Sequence, residues 1–296
     1  MIPLRERLRA GPPLLSDGAM GTMLLERGLA PGACPELMNI THPGVLEEIG
    51  RAYLDAGAEI IQTNTFGASP FKLASYKLDS RAGEINAAGV RIARSAAQGR
   101  AYAFACCGPS GRLLKPYGDV EPEAVEESYR SQVAALVKAG IDAVNFETMI
   151  DLAEAEVAVR AAKAVDSELV VCATMTFQKT RRGWFTVMGN SIADTAARLA
   201  ASGADVVGSN CGNGSAQMVE IAAEFRRVTE LPISIRPNAG LPVLRDGRPR
   251  YPEAPEQMGE NVAKLVELDV RVIGGCCGTT PEHIRAFRAV LAARQK

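Results

Sequence analysis

The chain has 296 residues, 47% hydrophobic and 23% charged, which excludes intrinsic disorder and supplies apolar surface for a large core. Its 33 basic and 34 acidic residues leave a formal charge of −1, so no overall field draws it to nucleic acid or an acidic membrane. No apolar run approaches ~18 residues, so no membrane-spanning helix is expected.

Residues 1–10 are charged and read as an amphipathic lead-in, with no secretion signal. The first strand is expected at 14–17, followed by D-G-A-M-G-T at 17–22. Further strands are expected at 59–64, 101–107, 143–147, 169–176, 205–210, 233–236 and 271–275, each a short apolar run. Helical patterns separate them, among them 123–139, 152–164 and 192–201. Three strands follow a recurring glycine, Gly57, Gly140 and Gly203, the residue expected just past a helix end. Alternating strand and helix implies a parallel sheet. Eight repeats fit an α/β (β/α)8 TIM barrel filling 1–296 as a single domain. The rival open sheet would carry G-x-G-x-x-G after its first strand, and that spacing is absent. Two long connections, 108–121 and 239–258, follow strands and so fall on the face where barrel enzymes keep their sites.

Seven cysteines stand against two histidines and one tryptophan. They are Cys34, Cys106, Cys107, Cys172, Cys211, Cys276 and Cys277. An odd number with two adjacent pairs does not read as a disulfide framework. The expectation is a cytoplasmic protein with free thiols.

The strand ends gather polar and thiol residues at one mouth: Asp17, Asn64, Cys106-Cys107, Glu147, Asn210-Cys211, Asn238 and Cys276-Cys277. Strands six and eight are one strand apart, so Cys211 can approach Cys276 and Cys277. Three thiolates suit a soft metal, with Zn²⁺ the commonest, and three ligands leave the fourth position open as catalytic sites do. Three thiolates on Zn²⁺ give a net charge of −1. Such an ion is a poor activator of water and a good holder of a fourth thiolate, which favours alkyl transfer to sulfur. Cys106 and Cys107 read as wall residues of the mouth, and Cys34 and Cys172 as packing. Asp17 is open to two readings, turn-former or site residue, and Glu147 to substrate partner or salt bridge.

Together D-G-A-M-G-T, A-E-I-I-Q-T-N-T-F-G at 58–67, F-E-T at 146–148, G-S-N-C-G at 208–212, N-A-G-L-P at 238–242 and G-G-C-C-G-T-T-P at 274–281 resemble the homocysteine S-methyltransferase family. The resemblance runs from about residue 14 to 284. It implies a zinc-dependent barrel that transfers a methyl group to homocysteine, giving methionine. It implies Cys211, Cys276 and Cys277 as zinc ligands, Asp17 and Glu147 as acceptors for the amino acid's ammonium, and the backbone at Gly18 and Ala19 as receiver of its carboxylate. Asn210 and Asn238 flank the metal positions, to orient substrate or fill the open coordination position. Cys106-Cys107 departs from what the resemblance requires. Methylcobalamin, if used, would come on a separate corrinoid or folate-binding partner protein. Two rivals stay open: a subunit of a corrinoid-dependent system acting on another thiol, and a non-catalytic zinc or thiol sensor.

Overall fold

A computed structural model describes residues 1–245 and 248–294. Eight parallel strands form its main sheet: β1 (Leu14–Leu15), β2 (Ile60–Gln62), β3 (Tyr102–Cys107), β4 (Ala143–Met149), β5 (Val170–Met175), β6 (Val206–Asn210), β7 (Ile233–Arg236) and β8 (Val270–Ile273). From β2 onward each pairs with the next in sequence, and β1 pairs with β8. A parallel bridge from Ser16 to Ile60 joins β1 to β2 and closes the ring. The expected barrel is therefore present, with every expected strand within about three residues of its observed bounds.

Helices cover the outside, among them Pro122–Ala139, Leu152–Val165 and Ile192–Ala201. Their ends follow local chemistry. Ser191 and Asp194 form a capping box at the start of Ile192–Ala201. Gly140 ends Pro122–Ala139 at φ +95, a conformation that would strain any residue with a Cβ.

Alternation along the strands divides the core in two. In β4, Val144 and Phe146 pack outward in the large cluster between sheet and helices. Ala143 joins Leu14, Ile60, Phe104, Val170, Cys172, Val206 and Val272 inside the ring. The lead-in is the helix Leu4–Arg9, and its Leu4 and Leu8 belong to that inner cluster. Burying each leucine contributes about 2 kcal/mol. Arg5 fastens this helix by an ion pair with Asp205. The barrel is thus stoppered at the N-terminal ends of its strands, and polar residues line the opposite end.

Two short hairpins extend the loops after β5 and β7. One pairs Gln178–Thr180 with Gly183–Phe185, and the other pairs Val243–Arg245 with Arg248–Arg250. No described helix is long and apolar enough to cross a membrane.

Candidate metal and substrate site

Cys211 follows the last residue of β6, and Cys276 and Cys277 follow β8 after two glycines. Cys211 sits in the left-handed region at φ +59, and its amide donates to the Arg236 carbonyl at 3.2 Å. The Cys276 amide donates to the Pro237 carbonyl at 2.8 Å. Gly278 turns the chain at φ +80, where a Cβ would lie 2.1 Å from the Tyr251 ring. These constraints aim three side chains at one point. Their sulfurs lie within 4.8 Å of one another, and Cys211 and Cys277 are 3.9 Å apart. Sulfurs in a tetrahedral site with Zn–S near 2.3 Å stand about 3.8 Å apart, so the spacing fits a zinc ion.

The metal-free thiols resist ionisation. Hydrogen bonding from Cys211, with burial, pushes Cys276 up to about 12. Cys211 is lowered by Cys276, but Cys277 and burial outweigh that and leave it at about 11. A cation at their centre would reverse this balance, because coordination favours the thiolate.

Asn210 braces the cluster. It is fully buried, and its Oδ1 accepts from the Thr148 amide and the Thr174 hydroxyl, both at 2.7 Å. Its Nδ2 donates to Thr148 Oγ1 at 2.8 Å and faces Cys276 Sγ at 3.7 Å. Asn238 is different. Its buried Oδ1 has no hydrogen-bond partner among the described residues.

Asp17 lies just beyond β1, 2% exposed. It accepts from the Gln62 amide at 2.7 Å and the Ser16 hydroxyl at 3.1 Å. Burial raises its carboxyl to about 6, against those hydrogen bonds and the Arg236 charge. Glu147 is 7% exposed, and its Oε2 accepts from Asn145 at 2.6 Å and pairs with Arg236. The salt-bridge reading of Glu147 is therefore realised.

The first turn divides unevenly. Ala19 donates its amide to Thr279 Oγ1 at 3.1 Å, and that hydroxyl donates to the Cys276 carbonyl at 2.7 Å. Tyr53 donates toward the Ala19 and Thr279 carbonyls at 2.8 and 3.1 Å. The Ala19 amide is thus occupied by a strut tying the first turn to the cysteine loop. The Gly18 amide has no partner among the described residues.

Sequence reasoning placed the three cysteines, Asp17, Glu147 and both asparagines around this mouth. It missed Arg236, whose signal was available: like Glu147, it ends an apolar run. Cys106, buried in β3, lies on the Arg236 side as a wall residue of the mouth, whereas Cys107 points the other way and packs in the outer cluster against the helices. Asn64 pairs with Asn39 and the Pro35 carbonyl, holding loops together. Trp184 is buried in the core, 3% exposed. A cavity of about 700 Å³ is bounded by Thr22, Leu25, Glu26, Leu29, Tyr251 and Gly278, the residue after Cys277, and none of the three thiols lines it.

The homocysteine S-methyltransferase family pattern matches residues 14–291. The methionine synthases of Mycobacterium leprae and Mycobacterium tuberculosis are each 34% identical over 94% of the chain. The chain spans about a quarter, 24%, of the length of these curated relatives. The metallated form of the homocysteine methyltransferase MmuM from Escherichia coli superposes with a TM-score of 0.81 at 25% identity, covering 97% of this chain and 99% of that one. Its oxidized form gives 0.79 at the same identity. With this fold, and with three thiols and two acids converging on one mouth, the chain belongs to the homocysteine S-methyltransferase family.

Proposed function

We propose that this protein is a zinc-dependent methyltransferase that methylates homocysteine to methionine. The observation that carries the reading is the set of three thiols within 4.8 Å at the barrel mouth. Cys211, Cys276 and Cys277 would hold the ion, and the donor set suits it. Bound zinc supplies a soft cation that keeps a substrate sulfur in its nucleophilic thiolate form at neutral pH.

The chain's own residues supply orientation. Asn210 fixes Cys276 through its hydrogen bonds. Glu147 offers its unpartnered oxygen, and Asp17 its charge, to the ammonium of the amino acid. The Gly18 amide is available for the carboxylate, while Ala19 serves through its strut to Thr279. The vacant acceptor of Asn238 suits a substrate N–H. Aligned substrates lower the barrier by removing the entropy of encounter. The methyl donor enters from the open side, either as a small molecule in the cavity beside Tyr251 or as methylcobalamin on a partner protein. Seven free thiols fit a reducing compartment, and we infer a cytoplasmic enzyme.

The test is a donor panel on zinc-loaded protein with homocysteine: S-methylmethionine, S-adenosylmethionine, betaine and methylcobalamin. Methionine formation from one donor, lost on chelation and restored by zinc, is expected. Full activity of folded, metal-free protein would refute the mechanism. Zinc with a fourth protein ligand and no turnover would favour the sensor reading.

A further inference from the structure

The candidate amino-acid pocket contains two buried acids and one buried base. Asp17 and Glu147 face the same mouth, and two carboxylates in a low-dielectric site need a cation nearby to stay ionised together. Arg236, the last residue of β7, is 2% exposed and supplies that cation. Its guanidinium pairs with Glu147 Oε2, and its charge also reaches Asp17. Asn145 donates to the same oxygen at 2.6 Å and to Gln62 Oε1 at 2.9 Å. One oxygen of Glu147 is therefore pinned twice. The other, Oε1, accepts no hydrogen bond from the described residues.

Burying an ion pair this deeply is a weak device for stability, because desolvation offsets the attraction. Its geometric effect is clear, however. The pinned oxygen fixes the carboxylate's plane, and the free one stays available. Asp17, Glu147 and Arg236 together carry a charge of −1 when ionised, which one substrate cation neutralises.

We propose that Arg236 is a positioning residue for the amino-acid substrate: pinned beside Glu147, its guanidinium fixes that carboxylate's plane and presents its free oxygen to the substrate's ammonium group. This deepens the function proposed above and rests on it. Arg236 acts through Glu147 and makes no contact with substrate. The pocket therefore selects thiols that carry an amino group over thiols of the same length that lack one.

The experiment compares two thiols by calorimetry on the zinc-loaded protein: homocysteine and 4-mercaptobutanoate, the same acid without the amine. Arg236→Met should weaken homocysteine binding about 30-fold or more and 4-mercaptobutanoate less than about 3-fold, with zinc content unchanged. Arg236→Lys, which keeps a cation, should recover most of the loss. The double variant Glu147→Gln with Arg236→Met removes both charges at once and strands neither. It should bind homocysteine no worse than Glu147→Gln alone, and it serves also if Arg236→Met does not fold. Equal losses for the two thiols, or losses that add in the double variant, would overturn the proposal. Wild-type protein that binds neither thiol would defeat the proposed function, and this assignment with it.

Discussion

Replacing Asp17 by Asn should stabilise the substrate-free protein at neutral pH while weakening homocysteine binding. Burial moves this carboxyl from an ordinary 3.8 to about 6. Between about pH 4 and pH 6 the folded protein keeps a proton that the unfolded chain releases. Stability therefore falls as pH rises through that window, and the full penalty stands above it. At about 1.4 kcal/mol per pH unit the penalty is about 3 kcal/mol, undiminished by solvent because the group is buried. Asparagine has nearly the same shape and never ionises. Its oxygen can still accept from the Gln62 amide, and its amide can donate to the Ser16 hydroxyl. Urea unfolding of both proteins at pH 4, 6 and 8 measures the difference. The two should match near pH 4, and the variant should lead by about 3 kcal/mol at pH 8, or roughly 5 °C in Tm. A gap that does not widen between pH 4 and pH 8, or a variant less stable at pH 8, would refute the reasoning.

Three further outcomes follow from other parts of the fold. Cys276→Ala should lose zinc, measured by elemental analysis, and methyl transfer with it, while circular dichroism stays that of the wild type; full zinc retention would remove Cys276 from the ligand set. Tyr129→Phe should cost about 1–3 kcal/mol in urea unfolding, because it takes a 2.8 Å donor from the buried carboxylate of Glu154. A loss below about 0.5 kcal/mol would show that the Ser110 amide suffices, which it offers Glu154 at 2.6 Å. Gly208→Ala places a methyl 1.9 Å from the Ser234 carbonyl oxygen, between β6 and β7, and should cost about 3 kcal/mol or more, read as lost soluble yield and lowered Tm. A Tm within about 2 °C of wild type would mean the two strands part easily.

The barrel was legible because its signals are local and repeated. A glycine after each of three helices and a short apolar run after it mark where a strand begins. The thiol cluster was legible for a different reason: strand ends converge in a closed barrel, so Cys211 and Cys276 meet although they lie far apart in sequence. What escaped was pairing between side chains. Nothing in I-S-I-R-P-N announces that Arg236 meets Glu147, because the partner is chosen by the ring's curvature and stagger. The same holds for Ala19, whose amide is engaged by Thr279 from the far end of the chain. The hairpins after β5 and β7 were also missed. They have three-residue strands, too short for alternation to show, although the second loop was recognisably long.

The stopper helix Leu4–Arg9 has a kinetic consequence. The ring is already filled by its inner cluster, and Leu4 and Leu8 extend that filling past its lower end, so reactants reach the site only from the mouth. Under the proposed function, a thiol held at the cysteines would lie on the barrel side of whatever delivers the methyl group. The two reactants would then queue in a fixed order: the thiol first, the donor after it, and the spent donor out before the methylated thiol. Initial-rate patterns with product inhibition should therefore show sequential, compulsory-order kinetics, the consequence of a barrel with one open end.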